Sequence, residues 1–175
     1  MTKASMNIRA ATEDDLVAIN EIYNYYVVNS TATYQTEPAT IDERRAWFAA
    51  HGERYPVIVA VDEAGAVIGW GSLSRFHPRA AYGRTVENSV YVDHRHHRRG
   101  LGRALSERLI TLARELGYRT IVGLIDADQG PSIALHRALG FETSGRLREV
   151  GYKFGRWLDV VYMQLMVGTG AVANP

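Results

Sequence analysis

The chain has 175 residues, a net charge of +1, 46% hydrophobic and 22% charged residues, and no cysteine. That length suits one domain with one sizeable core. The near-neutral balance gives no global field toward nucleic acid or a membrane surface, and the lack of cysteine excludes disulfides, thiolate metal sites and a cysteine nucleophile.

Met1 to Asn7 carries no apolar run of the kind a signal peptide needs. No stretch approaches the ~18 uninterrupted apolar residues of a membrane-spanning helix. A cytoplasmic protein that does not engage membranes is the expectation. In chain order, residues 1–6 read as a flexible start and Asn7–Ala10 as a short strand. Thr12 caps a helix whose first turn is acidic and whose Leu16, Ile19, Ile22, Tyr23 and Tyr26 recur at helical spacing. Thr40-Ile41-Asp42-Glu43 is a capping box ahead of a second helix with Ala46, Trp47 and Ala50. Tyr55–Asp62 and Ala66–Arg75 predict a hairpin joined at Asp62-Glu63-Ala64-Gly65. Phe76–Arg84 is an aromatic, basic loop, and Thr85–Val92 a strand. Leu101, Leu105, Leu109, Leu112 and Leu116 form one face of a long helix that stops at Gly117. Thr120–Ile125 predicts a strand, Ser132–Leu139 a short helix closed by Gly140, and Thr143–Val150 and Leu158–Val167 two final strands. No repeat or linker divides residues 7–167, which read as a single domain. Residues 168–175 form a small-residue tail expected to be flexible.

The most informative stretch runs from Val90-Tyr91-Val92 through Asp93-His94-Arg95-His96-His97-Arg98-Arg99 into Gly100-Leu101-Gly102-Arg103. A strand enters a basic, glycine-containing loop, and the loop enters a long amphipathic helix. Glycines there let backbone N–H groups approach an anion, and the helix start aims further N–H groups and its dipole at the same point. Arg98, Arg99 and Arg103 add charge. Those parts suit a pyrophosphate. The pattern is neither a P-loop, since no Gly-Lys-Ser/Thr follows, nor the dinucleotide fingerprint, since position 105 is Leu. The competing reading is a solvated basic helix start. His94, His96 and His97 invite a metal reading, but no Asp, Glu or His partner stands at ligand spacing and the arginines would repel a cation, so no metal is expected. One short basic loop at this net charge does not make a nucleic-acid surface.

His97-Arg98-Arg99-Gly100-Leu101-Gly102 resembles the Gln/Arg-x-x-Gly-x-Gly/Ala signature of the GNAT superfamily of N-acetyltransferases, with His97 departing from the usual Gln or Arg. The resemblance covers roughly Ile8 to Leu165. It implies an α/β (α+β) fold: a mixed, mostly antiparallel central sheet with helices on both faces and a splayed slot for acetyl-CoA. In that fold Val90, Tyr91 and Val92 pair with the pantetheine arm, and Arg98, Arg99, Gly100, Leu101, Gly102 and Arg103 hold the pyrophosphate. Three segments are further similar to the phosphinothricin and methionine sulfoximine acetyltransferases: Thr85–Val92, Pro131–Phe141 and Gly151–Asp159. Gln129 stands where those enzymes usually carry an Asn that contacts the cofactor.

The resemblance gives the candidate catalytic residues their roles. Strand alternation puts Glu87, Ser89 and Tyr91 on one face. A mid-strand carboxylate is costly unless used or paired, so Glu87 is either ion-paired with an arginine of the Phe76–Arg84 loop or the general base, directly or through water. The resemblance favours the base. His136 occupies the place where many GNAT enzymes carry a tyrosine acid; it is a surface histidine or a donor to the leaving thiolate. Tyr91 is a second donor candidate. Glu87, Tyr34, Arg79, Tyr82, Lys153 and Phe154 are the candidates for the acceptor pocket, the basic members suiting a carboxylate or phosphinate. The resemblance also implies a homodimer, and Lys153 is expected to hold one end of the acceptor, within its own subunit or across the interface. The expected activity is acetyl transfer from acetyl-CoA to the α-amine of a small glutamate-like amino acid. The alternatives are another small amine, a protein N-terminus, or a non-catalytic acyl-CoA-binding domain, which the presence of Glu87 disfavours.

Overall fold

The computed structural model describes residues 7–168. Residues 1–6 and all of the expected tail beyond Gly168 lie outside the described residues. One seven-stranded sheet runs in the order β1-β2-β3-β4-β5-β7-β6. Its strands are β1 (Asn7–Ala10), β2 (Val57–Val61), β3 (Val67–Arg75), β4 (Thr85–Val92), β5 (Thr120–Asp126), β6 (Glu142–Lys153) and β7 (Arg156–Met166). Every neighbouring pair is antiparallel except β4–β5, which is parallel. A parallel pair needs a crossover, and the crossover here is helix α3 (Leu101–Glu115).

Helices α1 (Leu16–Asn29) and α2 (Ile41–Ala49) cover one face of the sheet, and α3 and α4 (Gly130–Ala138) cover the other. Leu16, Ile19 and Ile22 of α1 pack with Val57, Val59 and Trp70. Leu101, Leu105 and Leu109 of α3 pack with Ile58, Val86 and Ile121. β2 contributes to both layers, which explains its continuous apolar run. Gly71 of β3 lets α3 approach closely: a Cβ there would lie 3.0 Å from Leu109 Cδ1. Thr40 and Glu43 form the expected capping box, each accepting the other's backbone N–H.

Two features position the site. First, β4 and β5 pair only at Thr85↔Thr120, Val86↔Ile121 and Glu87↔Val122, and beyond Glu87 they diverge. The expected splay is therefore present, and it opens at the carboxyl ends of two adjacent parallel strands, where open α/β sheets characteristically hold ligands. Second, β6 and β7 form one long hairpin that turns at Phe154 and Gly155, both at positive φ. The pattern of the sequence ends the first of these strands at Val150. The structure carries it on through register shifts between Leu147 and Gly151, with Glu149 at φ 53°.

Candidate active site

The splay widens into a cavity of about 1060 Å³. Its floor is the face of β3 and β4 that carries Trp70, Ser72, Ser74, Glu87, Ser89 and Tyr91. Cross-strand pairing sets Ser74 opposite Glu87, Ser72 opposite Ser89, and Trp70 opposite Tyr91. One wall comes from residues 31–35, the other from α3 and α4.

At one end lies the glycine loop. Gly100 caps α3 at φ +80°, a left-handed conformation that a side chain disfavours. Ala104 N–H makes the first helical bond, to Gly100 O. The N–H groups of Leu101, Gly102 and Arg103 thus precede the helical ladder and remain available to an anion. Arg98, Gly100, Gly102 and Arg103 line the cavity here, and Arg99 lies exposed beside them. Asp93 shapes the loop. It accepts the Arg95 backbone N–H at 2.9 Å and the Arg95 guanidinium at 2.6 Å, which holds its carboxyl at about 2. His97 ties the loop to α1. Tyr26 Oη donates to Val92 O at 2.5 Å and lies 2.6 Å from His97 Nε2. Burial pushes the Tyr26 phenol up to about 12, so it keeps its proton and His97 is the donor to it. His94 instead stacks on Tyr25 with ring centres 3.8 Å apart.

In the splay itself, Asn88 and His136 form a buried pair. His136 Nδ1 lies 2.8 Å from Ser132 O, so that nitrogen carries the proton. Burial pushes the imidazole pKa down, leaving Nε2 to accept from Asn88 Nδ2 at 3.2 Å. The Asn88 Oδ1 atom then has no donor, although it is buried. It lies where a Cβ on Gly123 would come within 3.2 Å of it and of His136 Nε2. An orphaned acceptor in a glycine-lined slot suits a ligand that brings an N–H, such as an amide of a pantetheine arm. Gln129, at the start of α4, lines the same region and donates to Thr31 Oγ1 at 3.2 Å. These groups and the free helix N–H groups fit acetyl-CoA.

Glu87 projects into the cavity with no hydrogen-bond or ion-pair partner among the described residues. Burial pushes its pKa up. The alternative role, a salt bridge to the 76–84 loop, is not formed. Tyr91 packs against Trp70 and Tyr23 with ring centres 5.0 and 5.2 Å away. Burial raises its pKa, so the phenol stays protonated. Tyr34 is fixed in the wall: its Oη donates toward Asp126 Oδ2 at 2.9 Å and Asp159 O at 2.8 Å.

Four of the expected pocket residues lie outside this cavity. Lys153 is 4% exposed, and its ammonium donates to Ser30 O and Thr33 O, both at 2.7 Å. It straps β6 to the cavity wall instead of facing a ligand. Phe154 sits at the hairpin turn, 56% exposed. Arg79 and Tyr82 lie on the exposed loop before β4, Tyr82 against Phe76 and His77. Asn88, Arg44, Asp126 and Thr31 are not among the candidates the sequence suggests, yet all four line the cavity. Asn88 and Arg44 carried a signal: each is a polar residue at an apolar position of its element's period. Asp126 and Thr31 carried none.

The chain matches the acetyltransferase (GNAT) domain family across residues 8–162. It is 44% identical over 162 residues to the L-methionine sulfoximine/L-methionine sulfone acetyltransferase of Pseudomonas aeruginosa, covering 92% of this chain and 94% of that one. It is 40% identical over 159 residues to the phosphinothricin N-acetyltransferase of Streptomyces viridochromogenes, covering 91% and 86%. The crystal structure of a phosphinothricin acetyltransferase from Sinorhizobium meliloti in complex with acetyl-CoA superimposes with a TM-score of 0.93. It shares 41% identity, and the match covers 97% of this chain and 92% of that one. The splayed parallel pair, the glycine loop at the head of α3 and the match over nearly all of the sheet agree: this chain belongs to the GNAT acetyltransferase family.

Proposed function

We propose that the protein transfers the acetyl group of acetyl-CoA to the α-amine of a small glutamate-like amino acid, by direct attack in a ternary complex. L-methionine sulfoximine, L-methionine sulfone and phosphinothricin are the acceptors. The observation that carries this reading is a single cavity joining the glycine loop, through the β4–β5 splay, to the unpaired carboxylate of Glu87. Relatives named for these substrates share 40–44% of the sequence.

Acetyl-CoA supplies the activated acyl carbon. Glu87, directly or through a water, takes the proton of the acceptor ammonium. Its raised pKa narrows the gap to the amine it must deprotonate. The amine nitrogen then bonds to the carbonyl carbon, the carbon–sulfur bond breaks, and the nitrogen gives up its second proton to solvent. The thiolate takes a proton from water, Tyr91 or His136. His136 acts as donor only when Nε2 is protonated, which requires the Asn88 amide to turn its oxygen toward the ring. Tyr34 walls the acceptor.

The resemblance supports a homodimer in the cytoplasm. The exposed Leu147, Val150, Tyr152, Phe154 and Trp157 on β6–β7 supply an apolar surface for a second copy. Arg79, Tyr82 and Phe154 belong to the acceptor site only in such an assembly. No helix among the described residues is long and apolar enough to cross a membrane.

The test is a panel of amines assayed by release of free thiol from acetyl-CoA. We expect kcat/KM for the three amino acids to exceed that for spermidine and an aminoglycoside by at least tenfold. A preference for a polycation contradicts the reading.

A further inference from the structure

One charged group of the cavity has no role in the chemistry above. Arg44 lies in α2, on the helix face that also carries Ile41, Trp47 and Phe48, and it is only 5% exposed. Its guanidinium carbon sits 4.6 Å from the ring centre of Tyr23, 4.7 Å from that of Trp47 and 5.7 Å from that of Trp70. Nε donates to Asn20 Oδ1 at 3.2 Å. Among the described residues no carboxylate pairs with it, and neither terminal nitrogen has an acceptor. Those nitrogens are not sealed off, since Arg44 lines the cavity and neither is among the buried polar atoms that lack a partner.

A buried cation without a counter-ion is costly. The three aromatic faces offset part of that cost, but they do not use the guanidinium's in-plane donors. A purely structural arginine would have those donors satisfied within the protein. The other arginines that line the cavity, Arg98 and Arg103, belong to the glycine loop and the head of α3. Arg79 and Lys153, which the sequence offered as anion receptors, do not line it.

The position of Arg44 fixes which part of an acceptor it can meet. It packs on Trp70, which pairs with Tyr91, whereas Glu87 pairs with Ser74. Those two places on the floor are four residues apart, about 13 Å along the strand before the long side chains reach toward each other. An α-carboxylate shares a carbon with the amine and must stay near Glu87. The group at the end of the methylene chain is carried away from it. A planar fork of N–H donors matches two oxygens of one tetrahedral centre.

We propose that Arg44 is the receptor for the distal, oxygen-bearing group of the acceptor, the sulfone, sulfoximine or phosphinate end. This rests on the amino-acid reading above and makes Arg44 the residue that separates such acceptors from ordinary apolar amino acids.

L-methionine and L-methionine sulfone share one skeleton and differ only in the distal oxygens. The experiment measures kcat/KM for both, with wild type, Arg44→Gln and Arg44→Lys, alongside the KM for acetyl-CoA as a control for folding. We expect wild type to favour the sulfone and Arg44→Gln to reduce the sulfone-to-methionine ratio at least tenfold, chiefly through KM for the sulfone. Arg44→Lys, which keeps the charge and loses the fork, reduces it less. An equal fall for both amino acids, or an unchanged ratio, overturns the proposal. If Arg44→Gln fails to fold, an undiminished ratio in Arg44→Lys does the same. A variant that instead loses discrimination between methionine sulfone and its α-carboxamide puts the guanidinium at the α-carboxylate, which also overturns it. A wild-type enzyme that acetylates neither amino acid removes the amino-acid reading and this proposal together.

Discussion

The residues in and around the cavity divide into those that wait for a ligand and those that hold the others still. Glu87, Asn88 Oδ1 and the Arg44 terminal nitrogens are unsatisfied within the protein. Tyr34, Lys153 and Gln129 are satisfied, and each fixes the 31–35 wall against a strand or helix end. Tyr34 shows how tightly. Its ring lies over Gly151, where an added Cβ would come within 2.6 Å of it. With its hydroxyl bonded to Asp126 and Asp159, the ring has no free direction to move. Gly151→Ala should therefore cost about 1–3 kcal/mol by overpacking and raise KM for the amine several-fold, with KM for acetyl-CoA little changed. Thermal unfolding and steady-state kinetics check this; an unchanged Tm with unchanged amine KM would show that the wall gives. The sequence marks Glu87 because a carboxylate in an apolar strand is visible as a pattern break. It does not reveal the fate of Lys153, because a lysine beside two carbonyls far away in the chain reads the same as a lysine facing a ligand.

At the scale of elements, β4 and the head of α3 are the parts most legible in the sequence. Alternation over Thr85–Val92 and the leucine spacing of α3 each give a clean period, and the structure reproduces both boundaries closely. The β6–β7 hairpin is less legible. Its register shifts near residues 148–150 and its Phe154-Gly155 turn interrupt the alternation, so one long ribbon reads as two shorter strands with a loop between them. The glycine loop carries its own test. Gly102 faces the cavity, where a Cβ would already touch Leu135 Cδ2 at 3.4 Å, and the branched side chain of valine would crowd the free N–H groups. Gly102→Val should weaken acetyl-CoA at least tenfold, about 1.4 kcal/mol, without unfolding the protein. Calorimetry returning the wild-type affinity for a folded variant would dismiss the loop as the pyrophosphate seat.

Across the whole molecule, the function follows from one asymmetry of the sheet. Five of the six neighbouring strand pairs are antiparallel, but β5 enters parallel to β4 after the α3 crossover and separates from it beyond Glu87. The same crossover brings the head of α3 to the mouth of that gap. A helix terminus suited to an anion, a slot with an orphaned acceptor and a desolvated carboxylate thus lie along one cavity. The central claim is that Glu87 in that cavity takes the proton from the attacking amine, and the pH dependence of kcat/KM for wild type and Glu87→Gln tests it most directly. Because burial raises the Glu87 pKa, its active, ionised form is lost as pH falls at a higher pH than the ~4.3 of an ordinary glutamate. The account predicts an acid limb with an apparent pKa above that value in wild type. It predicts turnover lower by about 10²–10⁴ at pH 7 in Glu87→Gln, with acetyl-CoA affinity retained and activity partly recovered at high pH. Near-wild-type turnover at pH 7, with the acid limb unmoved in the variant, would contradict it.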